Sequence, residues 1–228
     1  MTAFRDDPDF LDTIRRELFS CVIGDVLDHM GFRRQYLPPR IRPLFPSMRV
    51  VGRAMTVLEA DCVGTRLVHE NREAAFGLMF DALDSLKPGE IYACTGAHGA
   101  YACWGELMST RAMHCGAVGA VIDGYSRDTN GIERLAFPTF SYGPYGQDQG
   151  VRGRVIDFRC PIEFSNGVRV ESGDILFGDV DGVVAIPRAA EEEAVRRALE
   201  KVRAESMVAK KIREGMPTRE VWDRYGVM

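Results

Sequence analysis

Lysine is scarce in this sequence, and clustered positive charge is missing. Only four of the 29 basic residues are lysines, and the formal net charge is −4. Proteins that bind nucleic acid neutralise its phosphates with clustered basic side chains. We therefore expect no nucleic-acid partner.

Long hydrophobic runs and paired cysteines are also missing. No apolar run approaches the roughly 20 residues that cross a bilayer, and the N-terminal residues are charged instead of forming an apolar signal-peptide core. We therefore expect a cytoplasmic protein with no membrane partner. The six cysteines lie far apart, without a C-x-x-C pair or a histidine set at zinc-finger spacing. This pattern indicates reduced and mostly buried thiols.

What the sequence does contain is enough apolar residues for one sizeable core. It has 228 residues, of which 46% are hydrophobic, which suits a single domain. Helix, strand and turn patterns alternate in the first half, as is typical of an α/β fold. The patterns predict helices over 8–18, with Asp7 as the cap and Pro8 as the first helical residue, over 20–31 and over 65–86. They predict strands over 48–60, with a bulge at Gly52, and over 91–94.

The second half has short strands, turns and a long helix. We expect a small antiparallel or barrel-like layer, followed by a charged helix with one apolar stripe over 188–214. No linker is evident, so residues 1–228 are interpreted as one domain with a core at about 20–190 and a C-terminal helical extension over 188–228. The strands of the layer are predicted at 139–142, 151–158, 161–164, 168–170, 175–177 and 182–186.

The central segment is the most informative. A predicted helix over 104–114 ends at Gly116, and a continuous apolar run over 117–122 is typical of a strand covered on both faces. This strand leads into a polar loop over 123–128, where sites of α/β folds tend to lie. Because the helix runs antiparallel to the strand that follows it, its N-terminus should lie near Asp123.

The residues brought together in this way suit the binding of a keto acid and a metal. The backbone N–H groups of Leu107 and Met108, at a helix N-terminus, can hold a carboxylate, and Arg127 can hold one with two parallel hydrogen bonds. Asp128 is a hard oxygen ligand of the kind magnesium accepts, while Glu106 can anchor metal-bound water or move a proton. On these residues alone, a surface turn at 123–128 and a dipole partner at Glu106 are the more usual roles of such residues.

The run GELMSTRAMHCGAVGAVIDGYSRD, residues 105–128, resembles the signature of a known family. This family contains the regulator of ribonuclease E activity A and the class II 4-hydroxy-4-methyl-2-oxoglutarate/4-carboxy-4-hydroxy-2-oxoadipate aldolases. Segments 24–27, 41–57 and 173–187 resemble it as well, so the resemblance covers most of residues 20–190.

The resemblance implies a swivelling β/β/α sandwich that assembles as a homotrimer or homohexamer. It further implies that Arg127 binds the keto acid and that Asp128 binds Mg²⁺ or Mn²⁺, with Glu106 acting through metal-bound water. The pyruvyl carboxylate would be bound at Gly105, Leu107 and Met108. An acidic residue from the C-terminal helix of a neighbouring subunit completes such sites, and Glu205 is the candidate here, although its position also suits a solvated surface charge. Tyr125, Ser126 and the loop 95–102 depart from the well-described aldolases of the family, so we expect the far end of the substrate, which this loop would contact, to differ from theirs.

The function implied is a metal-dependent lyase that cleaves a 4-hydroxy-2-oxo acid by a retro-aldol reaction and releases pyruvate, with oxaloacetate decarboxylation as a side activity. A Schiff-base aldolase is disfavoured, because the lysines fall in a turn or on the charged C-terminal helix. The alternative is a non-catalytic regulator that inhibits a ribonuclease by protein contact, since the family contains such members.

Overall fold

The structure is a computed structural model that describes residues 9–62 and 76–227. The helices are α1 (Phe10–Glu17), α2 (Ser20–His29), α3 (Met79–Asp84), α4 (Glu106–His114), α5 (Thr129–Leu135), α6 (Glu191–Arg213) and α7 (Thr218–Tyr225). The strands are β1 (Arg42–Pro43), β2 (Val50–Asp61), β3 (Glu90–Thr95), β4 (Ala102–Trp104), β5 (Gly119–Ile122), β6 (Tyr125–Ser126), β7 (Thr139–Ser141), β8 (Gly153–Phe158), β9 (Ile162–Glu163), β10 (Arg169–Val170), β11 (Ile175–Asp179) and β12 (Gly182–Ile186).

One eight-stranded sheet organises the molecule. Its order is β1-β7-β5-β3-β2-β11-β12, with β8 also paired to β2. Strands β2, β3, β5 and β7 run parallel to one another, whereas β8 and β11 are antiparallel to β2. Residues 37–43 link the two ends of the sheet. Leu37 N–H donates to Val183 O of β12 at one end, and β1 pairs with β7 at the other. The sheet is therefore nearly closed.

Burial on both faces of the sheet explains the apolar strand sequences. All four residues of β5 are buried, as parallel strands covered on both sides require. In the described part of the chain, the buried apolar residues form three clusters: one under α3 and α4, one under α1, α2 and α6, and one inside the curved sheet. The layers confirm the predicted α/β class and β/β/α sandwich, in a single domain.

The second-half strands lie close to where the sequence places them, but their assembly differs from the prediction. Strands β8 and β11 both join β2 in the main sheet and do not form a separate layer. The irregularity of β2 lies between Leu58 and Glu59, not at Gly52. Gly52 instead allows close packing, since a Cβ there would lie 2.5 Å from the carbonyl oxygen of Gly89.

Helix predictions are confirmed in part. Helices α1 and α2 match their predicted positions, whereas Asp7, Pro8 and residues 65–75 of the third predicted helix lie outside the described residues. The described part of that helix is helical only over 79–84, and the helix predicted over 104–114 begins at Glu106 because residues 102–104 form β4. The C-terminal extension has two helices instead of one, because the chain turns at Gly215, whose φ is +97°, before α7. No helix in the described part of the chain has the length and apolarity of a membrane span.

The cysteines are free, as expected, but they are less buried than predicted. Only Cys94 and Cys103 are buried, and Cys21 is exposed. Burial raises the pKa of both buried thiols well above the ordinary value, so they stay protonated and unreactive at neutral pH.

Candidate active site

A small parallel ribbon brings the two ends of the central motif together. Strand β4 pairs with β6, and Arg127 N–H donates to Trp104 O at 2.9 Å. Helix α4 begins after β4, and α5 begins after β6, so the first residues of both helices become neighbours. The predicted convergence is confirmed. The ribbon itself was not predicted, because its strands are only three and two residues long and leave no periodicity to detect.

Arg127 and Asp128 lie side by side with their charged groups accessible. Nε of Arg127 is 3.7 Å from Oδ2 of Asp128, and the two side chains are 40% and 44% exposed. Asp128 has a left-handed backbone (φ +56°) at the start of α5, a conformation that Asp and Asn adopt more readily than other non-glycine residues. Its Oδ2 also accepts from Glu106 N–H at 3.4 Å.

Gly105 lies so close to Asp128 that a side chain at residue 105 would have no space. A Cβ there would lie 2.8 Å from Oδ2 of Asp128, although the backbone (φ −160°) is extended and unstrained. Gly105 also leaves α4 without a side-chain cap. The first N–H groups of a helix have no intrahelical acceptor, so those of Leu107 and Met108 are available to an anion.

A cavity of about 450 Å³ opens beside these groups, within the range of small-molecule sites. Five of the predicted site residues line it: Gly105, Leu107, Met108, Arg127 and Asp128. The other lining residues are Phe76, Met79, Phe80, Leu83, Asp84, Ala102, Trp104, Arg111, Asp148 and Gln149.

Two predicted acidic residues lie outside the lining of this cavity. The Glu106 side chain lies against the start of α5, because a Cβ added at Gly131 would lie 2.2 Å from the carboxyl carbon of Glu106. Nη2 of Arg134 is 3.5 Å from Oε1 of Glu106. Glu205 lies on α6, 3.7 Å from Nζ of Lys201 in the same chain. Glu106 thus borders the site through its backbone, while Glu205 would need to act in another subunit.

Asp148 was missed by the sequence analysis. Its Oδ1 lies 3.0 Å from Nη1 of Arg127, because a parallel bridge between Asp148 and Ala102 holds this loop beside β4. The sequence around it, Gln147 to Gln149, has no pattern that indicates a site. Only an alignment or a structure reveals this contact.

The loop 95–102 contributes less than expected. Only Ala102 of this loop lines the cavity, and the His98 side chain is 84% exposed and pairs loosely with Asp61. Phe76, Met79, Phe80 and Leu83 also line the cavity. Contact of the other residues of this loop with the distal part of a substrate stays a prediction.

Asp123 and Glu59 are buried carboxyl groups near the site that do not line the cavity. Asp123 accepts hydrogen bonds from the hydroxyls of Thr95 (2.8 Å) and Tyr142 (2.6 Å) and from Ser165 N–H (2.7 Å), which makes it a structural group. Burial of Glu59, on β2, raises its pKa to about 8. Glu59 is therefore mostly protonated at neutral pH.

The donor set suits magnesium or manganese, which keep water ligands, better than an ion whose ligands all come from the protein. Across residues 9–62 and 76–227, no three acidic, histidine or cysteine side chains converge on one point. Magnesium needs only one or two protein carboxylates, with waters and substrate oxygens as its other ligands. The accessible Asp128 carboxylate, beside the cavity, fits that requirement.

Comparison with known proteins identifies the family. A sequence model described as RraA-like, Aldolase/RraA, matches residues 20–185, and the chain belongs to this family. It is 30% identical over 202 residues to a Halalkalibacterium halodurans protein named "Putative 4-hydroxy-4-methyl-2-oxoglutarate aldolase", covering 85% of this chain and 83% of that protein. It is also 27% identical over 198 residues to Protein DlpA of Legionella pneumophila, covering 85% of this chain but only 30% of that longer protein.

Solved structures share the fold. An uncharacterised protein from Pseudomonas syringae matches with a TM-score of 0.82 and 25% identity, covering 94% of this chain and 93% of that one. Streptomyces coelicolor RraAS2, described as an unusual member of the RNase ES inhibitor RraA family, matches with a TM-score of 0.78 and 22% identity, covering 90% and 98%. The family thus includes both aldolases and ribonuclease inhibitors.

Proposed function

We propose that the protein is a divalent-metal-dependent lyase that cleaves a 4-hydroxy-2-oxo acid by a retro-aldol reaction and releases pyruvate. The observation that supports this most is the Arg127 guanidinium beside the Asp128 carboxylate, both lining one cavity next to the N-terminus of α4. The guanidinium can stabilise an oxyanion, and the carboxylate beside it can bind a metal ion.

The substrate carboxylate binds at the start of α4. The N–H groups of Leu107 and Met108 donate to it, and the helix dipole favours its negative charge. Arg127 donates to the keto oxygen from the opposite side. These contacts place the pyruvyl fragment at the charged end of the cavity.

Cleavage breaks the bond between C3 and C4 of the substrate. The C4 hydroxyl gives its proton to a base, C4 becomes a carbonyl, and the electron pair of the bond moves to the pyruvyl fragment as an enolate. Arg127 stabilises the negative charge on the enolate oxygen, and protonation at C3 then gives pyruvate. Asp128 would hold the Mg²⁺ or Mn²⁺ ion, with Glu106 acting through its water, and the bound ion supplies Lewis-acid stabilisation. Oxaloacetate decarboxylation passes through the same enolate and is expected as a side activity.

The same proposal includes a homotrimer or homohexamer. Glu205 lies away from the cavity of its own chain and is held by Lys201, so it would serve the site of a neighbouring subunit. Multi-angle light scattering of the purified protein measures the assembly. A monomer at assay concentration would contradict this part of the proposal.

The central experiment measures pyruvate release from oxaloacetate and from 4-hydroxy-4-methyl-2-oxoglutarate, with Mg²⁺, with Mn²⁺ and with excess chelator. We expect turnover with either metal and its loss with chelator. The Asp128→Asn variant keeps a residue that tolerates the left-handed backbone and should lose metal-dependent turnover at least about 100-fold while melting like the wild type. Absence of turnover on every keto acid would favour the alternative function, inhibition of a ribonuclease by protein contact.

A further inference from the structure

Two carboxylates flank the Arg127 guanidinium. Asp128 Oδ2 lies 3.7 Å from Nε of Arg127, and Asp148 Oδ1 lies 3.0 Å from Nη1. The two acidic side chains therefore contact different nitrogens of one planar group, and all three side chains line the same cavity. A keto oxygen bound by Arg127 would have Asp128 near one edge of the guanidinium and Asp148 near another.

The Asp148 carboxylate is held in place by the chain around it. Gly150 N–H donates to its Oδ2 at 3.0 Å, and Arg152 Nη1 donates to the carbonyl oxygen of Asp148 at 3.0 Å. Ala102 N–H donates to the carbonyl oxygen of Gln147 at 2.8 Å, which fixes the loop beside β4. The Asp148 side chain is nevertheless 40% exposed, so it is both oriented and accessible to a ligand.

The proposed substrate carries its C4 hydroxyl close to its keto oxygen. Only C3 separates the two carbons that bear these oxygens, so in a folded conformer the hydroxyl and the keto oxygen lie side by side. When Arg127 binds the keto oxygen, the hydroxyl reaches the groups that border the guanidinium. A general base has to lie within hydrogen-bonding distance of the proton that it removes, and the contact of Asp148 with Nη1 of Arg127 places it there.

We propose that Asp148 is the general base that accepts the C4 hydroxyl proton in the retro-aldol reaction. This inference rests on the proposed lyase function. The proton moves from the C4 hydroxyl to Asp148, the electron pair of the O–H bond forms the C4 carbonyl, and the pair of the C3–C4 bond forms the enolate that Arg127 stabilises. Asp148 then releases the proton to solvent, and solvent protonates C3 to give pyruvate.

Oxaloacetate decarboxylation separates this role from that of Arg127. Both reactions form the pyruvate enolate, but oxaloacetate loses carbon dioxide and has no hydroxyl proton to remove. A base for the hydroxyl therefore matters only in aldol cleavage, whereas a group that orients Arg127 matters in both reactions. The ratio of the two activities distinguishes the two roles.

Asp148→Asn tests the assignment. The amide keeps the shape of the side chain and still accepts from Gly150 N–H, but it is not a base. With Mg²⁺ present, we expect the ratio of kcat for cleavage of 4-hydroxy-4-methyl-2-oxoglutarate to kcat for oxaloacetate decarboxylation to fall at least about 100-fold, as for loss of one general base. Asp148→Glu, which keeps a carboxylate, should restore part of the cleavage.

Asp84→Asn is the matched control. Asp84 also lines the cavity and pairs with an arginine, since Nε of Arg111 lies 2.7 Å from its Oδ1. This pair does not include Arg127, so its loss should leave the ratio of the two activities unchanged. An equal fall of the ratio in both asparagine variants would mean that it responds to the charge of the cavity, and would overturn the assignment of Asp148.

The wild-type activities distinguish failure of this inference from failure of the lyase function. If the wild type acts on both substrates and Asp148→Asn lowers both activities by the same factor, Asp148 orients Arg127 and is not the base. If the variant keeps both activities, the base is another group. Decarboxylation without cleavage of any 4-hydroxy-2-oxo acid would also contradict the inference, and a wild type that acts on neither class of substrate would contradict both proposals.

Discussion

Nη1 of Arg127 lies 3.0 Å from Oδ1 of Asp148, and both side chains are 40% exposed at the cavity. The Asp148 carboxylate therefore occupies one of the positions from which the guanidinium would bind an anion. An exposed pair of this kind contributes only about 0–1 kcal/mol to folding, so its main effect is on ligand binding.

Asp148→Asn should strengthen anion binding. The amide keeps the shape of the side chain but removes the negative charge that competes with a ligand for Arg127. We expect the Kd of oxalate, a mimic of the pyruvate enolate, to fall severalfold in titration calorimetry at low ionic strength, with little change in thermal stability. Weaker binding in the variant would instead mean that Asp148 orients Arg127.

Arg127→Lys should be strongly impaired despite keeping the charge. An ammonium cannot reproduce the planar fork of a guanidinium, and loss of one oxyanion donor costs about 10²–10³ in rate. We expect kcat for oxaloacetate decarboxylation to fall by about 100-fold. Arg169, which is 65% exposed and pairs with Glu171, gives the control Arg169→Lys, for which full activity is expected. Near-normal activity in Arg127→Lys would contradict the role given to this residue.

Gly105→Ala should disturb Asp128 without disturbing the fold. The backbone at residue 105 accepts any side chain, but the added Cβ would lie 2.8 Å from Asp128 Oδ2, so the carboxylate has to move. We expect metal-dependent pyruvate release to fall at least about tenfold, with a melting temperature close to the wild type.

Gly146→Ala is the matched control for this variant, because a Cβ there would have no neighbour within 4 Å. It should retain activity. If both alanine variants are fully active, the space next to Asp128 does not matter for the reaction.

Glu59 should make the protein less stable as the pH rises. Its pKa is about 8 in the folded protein, against an ordinary value of 4.5, because burial disfavours the charged form. The folded state therefore holds this proton more tightly than the unfolded chain, and its contribution to the free energy of unfolding is full below about pH 4.5 and declines between there and about pH 8. The loss is on the order of a few kcal/mol.

Glu59→Gln isolates this effect, since the amide keeps the shape and does not ionise. Urea denaturation of both proteins at about pH 5 and about pH 8 measures it. We expect the difference in stability between variant and wild type to move in favour of the variant as the pH rises. A difference that does not change with pH would show that Glu59 titrates normally.

The sequence predicts the charged end of the site because its residues follow local rules. The apolar run predicts a strand, and the helix before it must run antiparallel to that strand. This geometry is sufficient to bring residues 105–108 near 127–128. The strands β9 to β12 are likewise marked, by apolar residues between turn residues such as Asn166 and Gly167. Their pairing partners are not, because hydrogen bonds between β2 and β8 or β11 depend on the whole sheet.

The remaining lining of the cavity has no local signal. Asp148 reaches Arg127 only through the bridge to β4, and the pattern of Phe76 to Leu83 is equally typical of an ordinary core helix. Glu106 was placed at the correct helix position, but its side chain turns towards Gly131, a direction that helix periodicity does not specify.

The cavity is lined by four separate stretches of chain: residues 76–84, residues 102–111 across β4 and α4, residues 127–128 after β6, and residues 148–149. A substitution in one of these stretches leaves the covalent structure of the other three unchanged. Residues 76–84 can therefore be exchanged by mutagenesis while Arg127 and Asp128 are retained.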